Sequence, residues 1–293
     1  MFAILSLLVL PACLTQFPEL DDPCAVPPDP GLYKLKLDDA GRSVLVELPE
    51  SEGPRPTFLV LHGFGSSASR FKDITGYSRV GEADGFMSVY VDGEGTGLGL
   101  NRSWNGGDCC PPASTLDYDD VAYLDLVIET LEEKACADPD RTYVSGFSNG
   151  AMMALRMACE SELADGAVSA AGTLLVDECR ATPKPIFLAH GLLDDTIPYD
   201  GGFSREGSVR YPSSDETLSV FLETNNCDPE PQTVQIGGAV CEEYACDVPV
   251  RRCTLDEWDH RWPGGVHTER ADFNLTRQSW WFMDGVSLED SVP

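Results

Sequence analysis

Residues 141–153 read "RTYVSGFSNGAMM". The apolar residues Tyr143 and Val144 lead into Gly146-Phe147-Ser148-Asn149-Gly150, and the helical pattern "NGAMMALRMACE" follows at once. A strand, a tight turn and a helix in such close succession make a βα unit. The Gly-x-Ser-x-Gly between them has a mechanical reason: a sharp strand-to-helix turn leaves no room for side chains around its central residue, so small residues flank it. The central Ser is then lifted to the top of the sheet at a helix N-terminus. The pattern alone is common; the strand before it and the helix after it give it weight. The bland alternative is a serine N-cap in a glycine turn.

The neighbouring sequence repeats the same grammar. "TFLVLHG", "FMSVYVDG" and "PIFLAHG" are short apolar runs ending in turn residues, as expected for parallel strands buried on both faces. "LYKLKL" and "SVLVELP" alternate and predict a strand pair. Between them lie helical patterns. "DDVAYLDLVIETLEE" aligns Val121, Leu124, Val127 or Ile128, and Leu131 on one face, and "DETLSVFLETN" and "LTRQSWWFMDG" predict two more helices. Alternating strands and helices indicate an α/β architecture with a mostly parallel central sheet flanked by helices. No domain boundary is visible within residues 31–293.

A Ser hydroxyl is a poor nucleophile until a base takes its proton, and the oxyanion it generates needs donors. The backbone N–H of Asn149 is one candidate. The other is the N–H of Phe64, in "LVLHGFGSSAS", where glycines on both sides allow close approach. An acid is expected after the strand "PIFLA", at Asp194 or Asp195 of "HGLLDDTIPY". The base must come from the four histidines. His62 and His190 read as loop-packing residues. His260 follows the strand-like "RRCTLDEW" directly, whereas His267 lies beyond Pro263-Gly264-Gly265, so position favours His260.

Taken together these motifs resemble the secreted polyhydroxybutyrate depolymerase and feruloyl esterase-like branch of the α/β-hydrolases. "LVLHGFGSSAS" is similar to the oxyanion loop of that branch, "SWNGGDCC" and "DYDDVAYL" to its Trp–Cys-Cys loop and the following helix start, and "GFSNGAMM" to its nucleophile elbow. "HGLLDDTIPYDGG" is similar to its acid loop and "HRWPGG" to its His-x-Trp-Pro-Gly motif. The resemblance implies the α/β-hydrolase fold, Ser148 as nucleophile, Asp194 as the acid, His260 as the base and no cofactor or metal. It places Trp104 and Tyr199 near the site as an apolar wall for substrate. The glycines usual before the base are replaced here by "EWD". The implied activity is ester hydrolysis through an acyl-enzyme. The implied substrate is a hydroxyalkanoate oligomer or polymer, or alternatively a feruloyl or acetyl ester of plant polysaccharide. Two rival readings are a serine peptidase on the same fold and an inactive binding protein that retains it.

Composition limits the partners. Acidic residues outnumber basic ones 49 to 20, giving a formal charge of −29 over 293 residues. Such a chain repels nucleic acid and anionic membranes. "MFAILSLLVLPAC" is an apolar leader too short to span a bilayer. Its "LPAC" resembles a bacterial lipobox, so residues 1–12 read as a signal peptide, Cys13 as a lipid-bearing N-terminus and residues 13–30 as a Pro/Asp-rich tether. Removing Cys13 from the 11 cysteines leaves ten, an even set that reads as disulfides in an oxidising compartment. The chain is thus expected as a secreted or cell-envelope protein, touching membrane only through that anchor. Connectivity is not readable, but adjacent Cys109 and Cys110 are expected to bond to distant partners, because a bridge between neighbours strains the intervening peptide.

Overall fold

A computed structural model describes residues 15–292, except 21, 38–41, 97–98, 181, 205–206, 208 and 266–271. The leader, Cys13 and His267 therefore lie outside the described residues. In chain order the strands are β1 (Thr15–Gln16), β2 (Gly31–Leu35), β3 (Val44–Leu48), β4 (Arg55–Leu61), β5 (Met87–Val91), β6 (Glu94–Thr96), β7 (Leu100–Ser103) and β8 (Ala137–Phe147). There follow β9 (Gly166–Ala170), β10 (Ile186–Gly191), β11 (Gly202–Phe203), β12 (Arg210–Tyr211), β13 (Gln232–Ile236), β14 (Ala239–Tyr244) and β15 (Val250–Leu255). The helices are α1 (Ala68–Thr75), α2 (Tyr77–Asp84), α3 (Asp120–Ala135), α4 (Asn149–Glu160), α5 (Ser214–Thr224) and α6 (Leu275–Met283).

Eleven strands form one sheet in the order β1-β2-β3-β5-β4-β8-β9-β10-β15-β14-β13. The six from β5 to β15 run parallel, and the hairpins β2–β3 and β13–β14 add antiparallel edges. Every residue of β4, β5, β9 and β10 is buried, as their unbroken apolar runs require when helices cover both faces. One core layer gathers Phe58, Tyr77, Phe86 and Trp280 on one face; the other gathers Leu59, Val144, Leu124 and Met153. β9 escaped the sequence reading because Gly-Ala-Val-Ser-Ala lacks bulky β-formers. It is a strand because β8 and β10 hold it from both sides.

One expectation is corrected, that for Cys109 and Cys110. The segment read as a Pro/Asp-rich tether contacts the domain at several described residues. β1 pairs with β2, the Phe17 ring lies 4.6 Å from that of Tyr33, and Cys24 is bonded to Cys136. Cys109 and Cys110 are bonded to each other. The other eight described cysteines pair as Cys24–Cys136, Cys159–Cys179, Cys227–Cys246 and Cys241–Cys253, so no distant partner is left among the described residues. Cys110 has a left-handed backbone (φ 75°), which turns the chain so that the two side chains meet.

Candidate active site

β8 ends at Phe147, α4 starts at Asn149, and Ser148 between them has φ 56° and ψ −121°. A non-glycine residue held at positive φ is strained and persists only where its surroundings impose it. Close contact imposes it here: a Cβ on Gly146 would lie 2.0 Å from the Gly150 carbonyl oxygen, and one on Gly150 would lie 2.4 Å from that of Leu61. The Ser148 N–H donates to the Ala170 carbonyl at 2.9 Å, tying the turn to β9. The loop after β4 presses on the same turn, since a Cβ on Gly63 would be 3.4 Å from that of Ser148.

Asp194 and His260, the expected acid and base, follow the adjacent parallel strands β10 and β15. Their ends are locked together. A Cβ on Gly191 would meet the Trp258 carbonyl oxygen at 2.1 Å, and the Leu193 N–H donates to that oxygen at 3.0 Å. Asp194 and His260, 66 residues apart in sequence, therefore meet: His260 Nδ1 is 2.7 Å from Asp194 Oδ2, and His260 Nε2 is 2.8 Å from Ser148 Oγ. The other carboxylate oxygen of Asp194 accepts from the N–H groups of Thr196 (2.9 Å) and Ile197 (2.8 Å). The Phe147 ring lies 4.8 Å from the His260 imidazole, and Trp258 Nε1 donates to the Arg261 carbonyl, which closes the turn carrying His260. Burial alone would raise the Asp194 pKa, but hydrogen bonds from His190, His260 and the Ile197 amide outweigh it and hold the carboxyl well below the usual carboxylate range. Of these partners His190 is the looser: its Nε2 is 3.5 Å from Asp194 and 2.9 Å from the Ile197 carbonyl, to which it donates. Asp195, the other candidate acid, is exposed at the cavity.

His62 organises the loop on the opposite side. It is wholly buried, its Nδ1 pairs with the Gly63 carbonyl at 2.8 Å, and its Nε2 accepts from the Gly93 N–H at 3.0 Å. Burial pushes its pKa down to about 4, so the ring is neutral and the Nδ1–H is the donor. Around Phe64, the Gly65 N–H donates to the Arg102 carbonyl (2.8 Å) and the Ser66 N–H to that of Gly63 (3.1 Å). Asn149 is the first residue of α4, so its N–H lacks an intrahelical acceptor. Its side chain clasps the backbone of Trp104: Oδ1 accepts from the Trp104 N–H at 2.7 Å and Nδ2 donates to the Trp104 carbonyl at 2.9 Å.

A cavity of 540 Å³ opens at Ser148, walled mainly by Phe64, Cys109, Cys110, Ile197, Val209 and Tyr211. Neither expected wall residue belongs to it. Trp104 is 0% exposed and donates from Nε1 to the His62 carbonyl, so it backs the loop from inside. Tyr199 packs on His190 with ring centroids 5.6 Å apart, and its hydroxyl is 3.2 Å from Thr254 Oγ1. Both are large aromatics near site loops, and sequence cannot say which face of a loop such a ring joins. The vicinal cysteines and the β11–β12 hairpin, which do line the cavity, were not read as site residues. Only the rare Cys-Cys pair offered a signal.

The sequence family described as Phospholipase/Carboxylesterase matches residues 119–208, which include the elbow and Asp194. Feruloyl esterase B of Piromyces equi is 30% identical over 265 residues, 84% of this chain but only 46% of that protein. "Putative esterase NocK" of Nocardia uniformis subsp. tsuyamanensis is 30% identical over 260 residues, 79% of this chain and 74% of that one. Among solved structures, an acetyl xylan esterase from Aspergillus awamori superposes with a TM-score of 0.63 at 14% identity, over 86% of this chain and 98% of that one, a likeness of fold alone. With a relative 30% identical across 74% of that relative's length, the chain belongs to the esterase branch of the α/β-hydrolases.

Proposed function

We propose that this protein is an exported serine hydrolase that cleaves aryl or acetyl esters, of the kind feruloyl and acetyl groups form on plant polysaccharide. The observation that carries the reading is the continuous hydrogen-bonded line from Asp194 through His260 to Ser148. In the mechanism, Ser148 Oγ attacks the ester carbonyl carbon while His260 Nε2 takes the hydroxyl proton. The N–H groups of Phe64 and Asn149 receive the oxyanion, with the α4 N-terminus adding its positive dipole end. Collapse expels the alcohol, which leaves with the proton from His260. Water, deprotonated by His260, then hydrolyses the acyl-enzyme and restores Ser148. Asp194 keeps Nδ1 protonated and stabilises the imidazolium. No step needs a cofactor.

The substrate class rests on relatives named as feruloyl and acetylxylan esterases and on a cavity larger than an acetyl group needs. One observation favours a second reading, hydroxyalkanoate oligomers. Phe64, Leu192, Leu193 and Phe203 are 45–63% exposed on or beside segments that carry Ser148's neighbours, Asp194 and the cavity wall. Disulfides support maturation in an oxidising compartment, and within this proposal Cys13 carries a lipid anchor. Fractionation of Cys13→Ala against wild type tests the anchor: loss of membrane association is expected, and a wholly soluble wild type refutes it. A serine-directed phosphonate should label Ser148 alone, and purified protein should hydrolyse methyl ferulate faster than hydroxybutyrate trimer. Labelling elsewhere, with Ser148→Ala still active, would sink the assignment.

A further inference from the structure

One wall of the cavity is built from a pair of cysteines to which the mechanism gives no part. Cys109 and Cys110 are bonded to each other, and both face the space that Ser148 opens into. The segment leading to them is fixed residue by residue to the helix that starts at the nucleophile. Trp104 is clasped on both backbone groups by Asn149. The Asn105 carbonyl accepts from Arg156 Nη1 at 2.8 Å, and its N–H donates to buried Asp120 at 2.8 Å. Gly106 lies so close to α4 that a Cβ there would be 2.8 Å from that of Met152, and Gly107 pairs with Leu175. The disulfide thus reaches the cavity at a position set by the same helix that sets Ser148. Val209 and Tyr211 line the same cavity and pack in one cluster with the two cysteines, Tyr211 Oη lying 3.6 Å from Cys109 Sγ.

We propose that the Cys109–Cys110 disulfide is a specificity-determining wall of the acyl pocket, against which a flat aryl acyl group lies. The inference rests on the esterase reading above. Two joined sulfurs present a polarisable face that packs well on an aromatic ring. The bond also removes the S–H donors and the side-chain rotation that two free thiols would have, so the face is rigid before substrate arrives. Val209 and Tyr211 extend it with further apolar surface. An acetyl group, bound close to Ser148, would leave this wall unused.

The test is a selectivity ratio, kcat/KM for 4-nitrophenyl ferulate over that for 4-nitrophenyl acetate, which share a leaving group. In Cys109→Ala/Cys110→Ala the ratio should fall at least tenfold. Val209→Trp, which leaves the disulfide intact and adds bulk to the cavity it lines, should lower the ratio by a similar factor, and it decides the matter if the alanine pair does not fold. A ratio within threefold of wild type in either folded variant overturns the inference, as does a wild type that cleaves the acetate but not the ferulate ester. A wild type that cleaves neither removes the esterase reading and this inference with it. A wild type that cleaves both, loses both with Ser148→Ala, and yet shows an unmoved ratio in the variants leaves the esterase reading standing and removes the wall alone.

Discussion

Replacing Asn149 by Ala isolates the clasp that joins the helix after Ser148 to the Trp104 loop. The side chain satisfies both the N–H and the carbonyl of Trp104, at 2.7 and 2.9 Å, and both residues are 0% exposed. Removing it leaves two buried backbone groups unpaired, each costing about 1–3 kcal/mol, so the variant should lose about 2–6 kcal/mol. Unfolding entropy of about 2.1 cal/mol/K per residue gives roughly 0.6 kcal/mol/K for a chain of this size, so Tm should drop by about 3–10 °C. Asn149→Asp keeps an acceptor for the N–H but turns a carboxylate oxygen toward the Trp104 carbonyl, so it should be no better than Ala. Urea unfolding followed by tryptophan fluorescence measures the stability. Steady-state hydrolysis of 4-nitrophenyl acetate should show kcat reduced on the order of 100-fold, since the Asn149 amide is displaced with its helix end. A stability change below about 0.5 kcal/mol would refute the reasoning, because the clasp would then carry no weight in the fold.

Three further outcomes follow from the same geometry. His260→Ala should lower turnover as severely as Ser148→Ala, whereas His267→Ala should stay within about tenfold of wild type, roughly 1.4 kcal/mol of barrier; the reverse pattern in paired kinetics would reassign the base. Alkylation of unreduced, denatured protein should find almost no free thiol among the ten cysteines from Cys24 to Cys253, and mass spectrometry showing six or more modified would contradict the pairing. His62 has a folded pKa near 4, below its unfolded value of about 6.5, so its contribution to stability is complete above pH 6.5 and is lost as pH falls toward 4. From pH 7 to pH 4, wild type should therefore lose up to about 3 kcal/mol relative to His62→Asn in parallel denaturant titrations. Equal losses in the two would show that the ring is not held neutral.

The elbow was legible because its demand is local: contacts of 2.0–2.4 Å at Gly146 and Gly150 exclude any side chain, and that exclusion is written as Gly-x-Ser-x-Gly. The parallel strands were legible as apolar runs; their order pointed to Asp194 or Asp195 after Ser148 and to His260 after both, and only the family resemblance chose Asp194. β9 was not legible, since its strand character comes from its neighbours rather than its residues. Trp104 and Tyr199 were expected as a substrate wall and do not line the cavity at Ser148, because hydrophobicity suits an inward-packed ring and a substrate wall equally. Cysteine pairing depends on which loops meet in space, and the Cys109–Cys110 bond reflects a single left-handed residue.

β10 and β15 are neighbours in the sheet, yet the chain between them forms the β11–β12 hairpin, α5 and the β13–β14 edge before it returns. Asp194 and His260 are set by the two strand ends and their Gly191–Trp258 contact, while Val209 and Tyr211 ride on the excursion. Part of the pocket wall is therefore carried on a segment apart from the strand ends, whereas Ile197 is both wall and hydrogen-bond partner of Asp194. The stretch from Gly201 to Pro212 is accordingly a natural graft point: a hairpin of different length or sequence exchanged there would retune which acyl group enters, with the Asp194–His260 register left as it is.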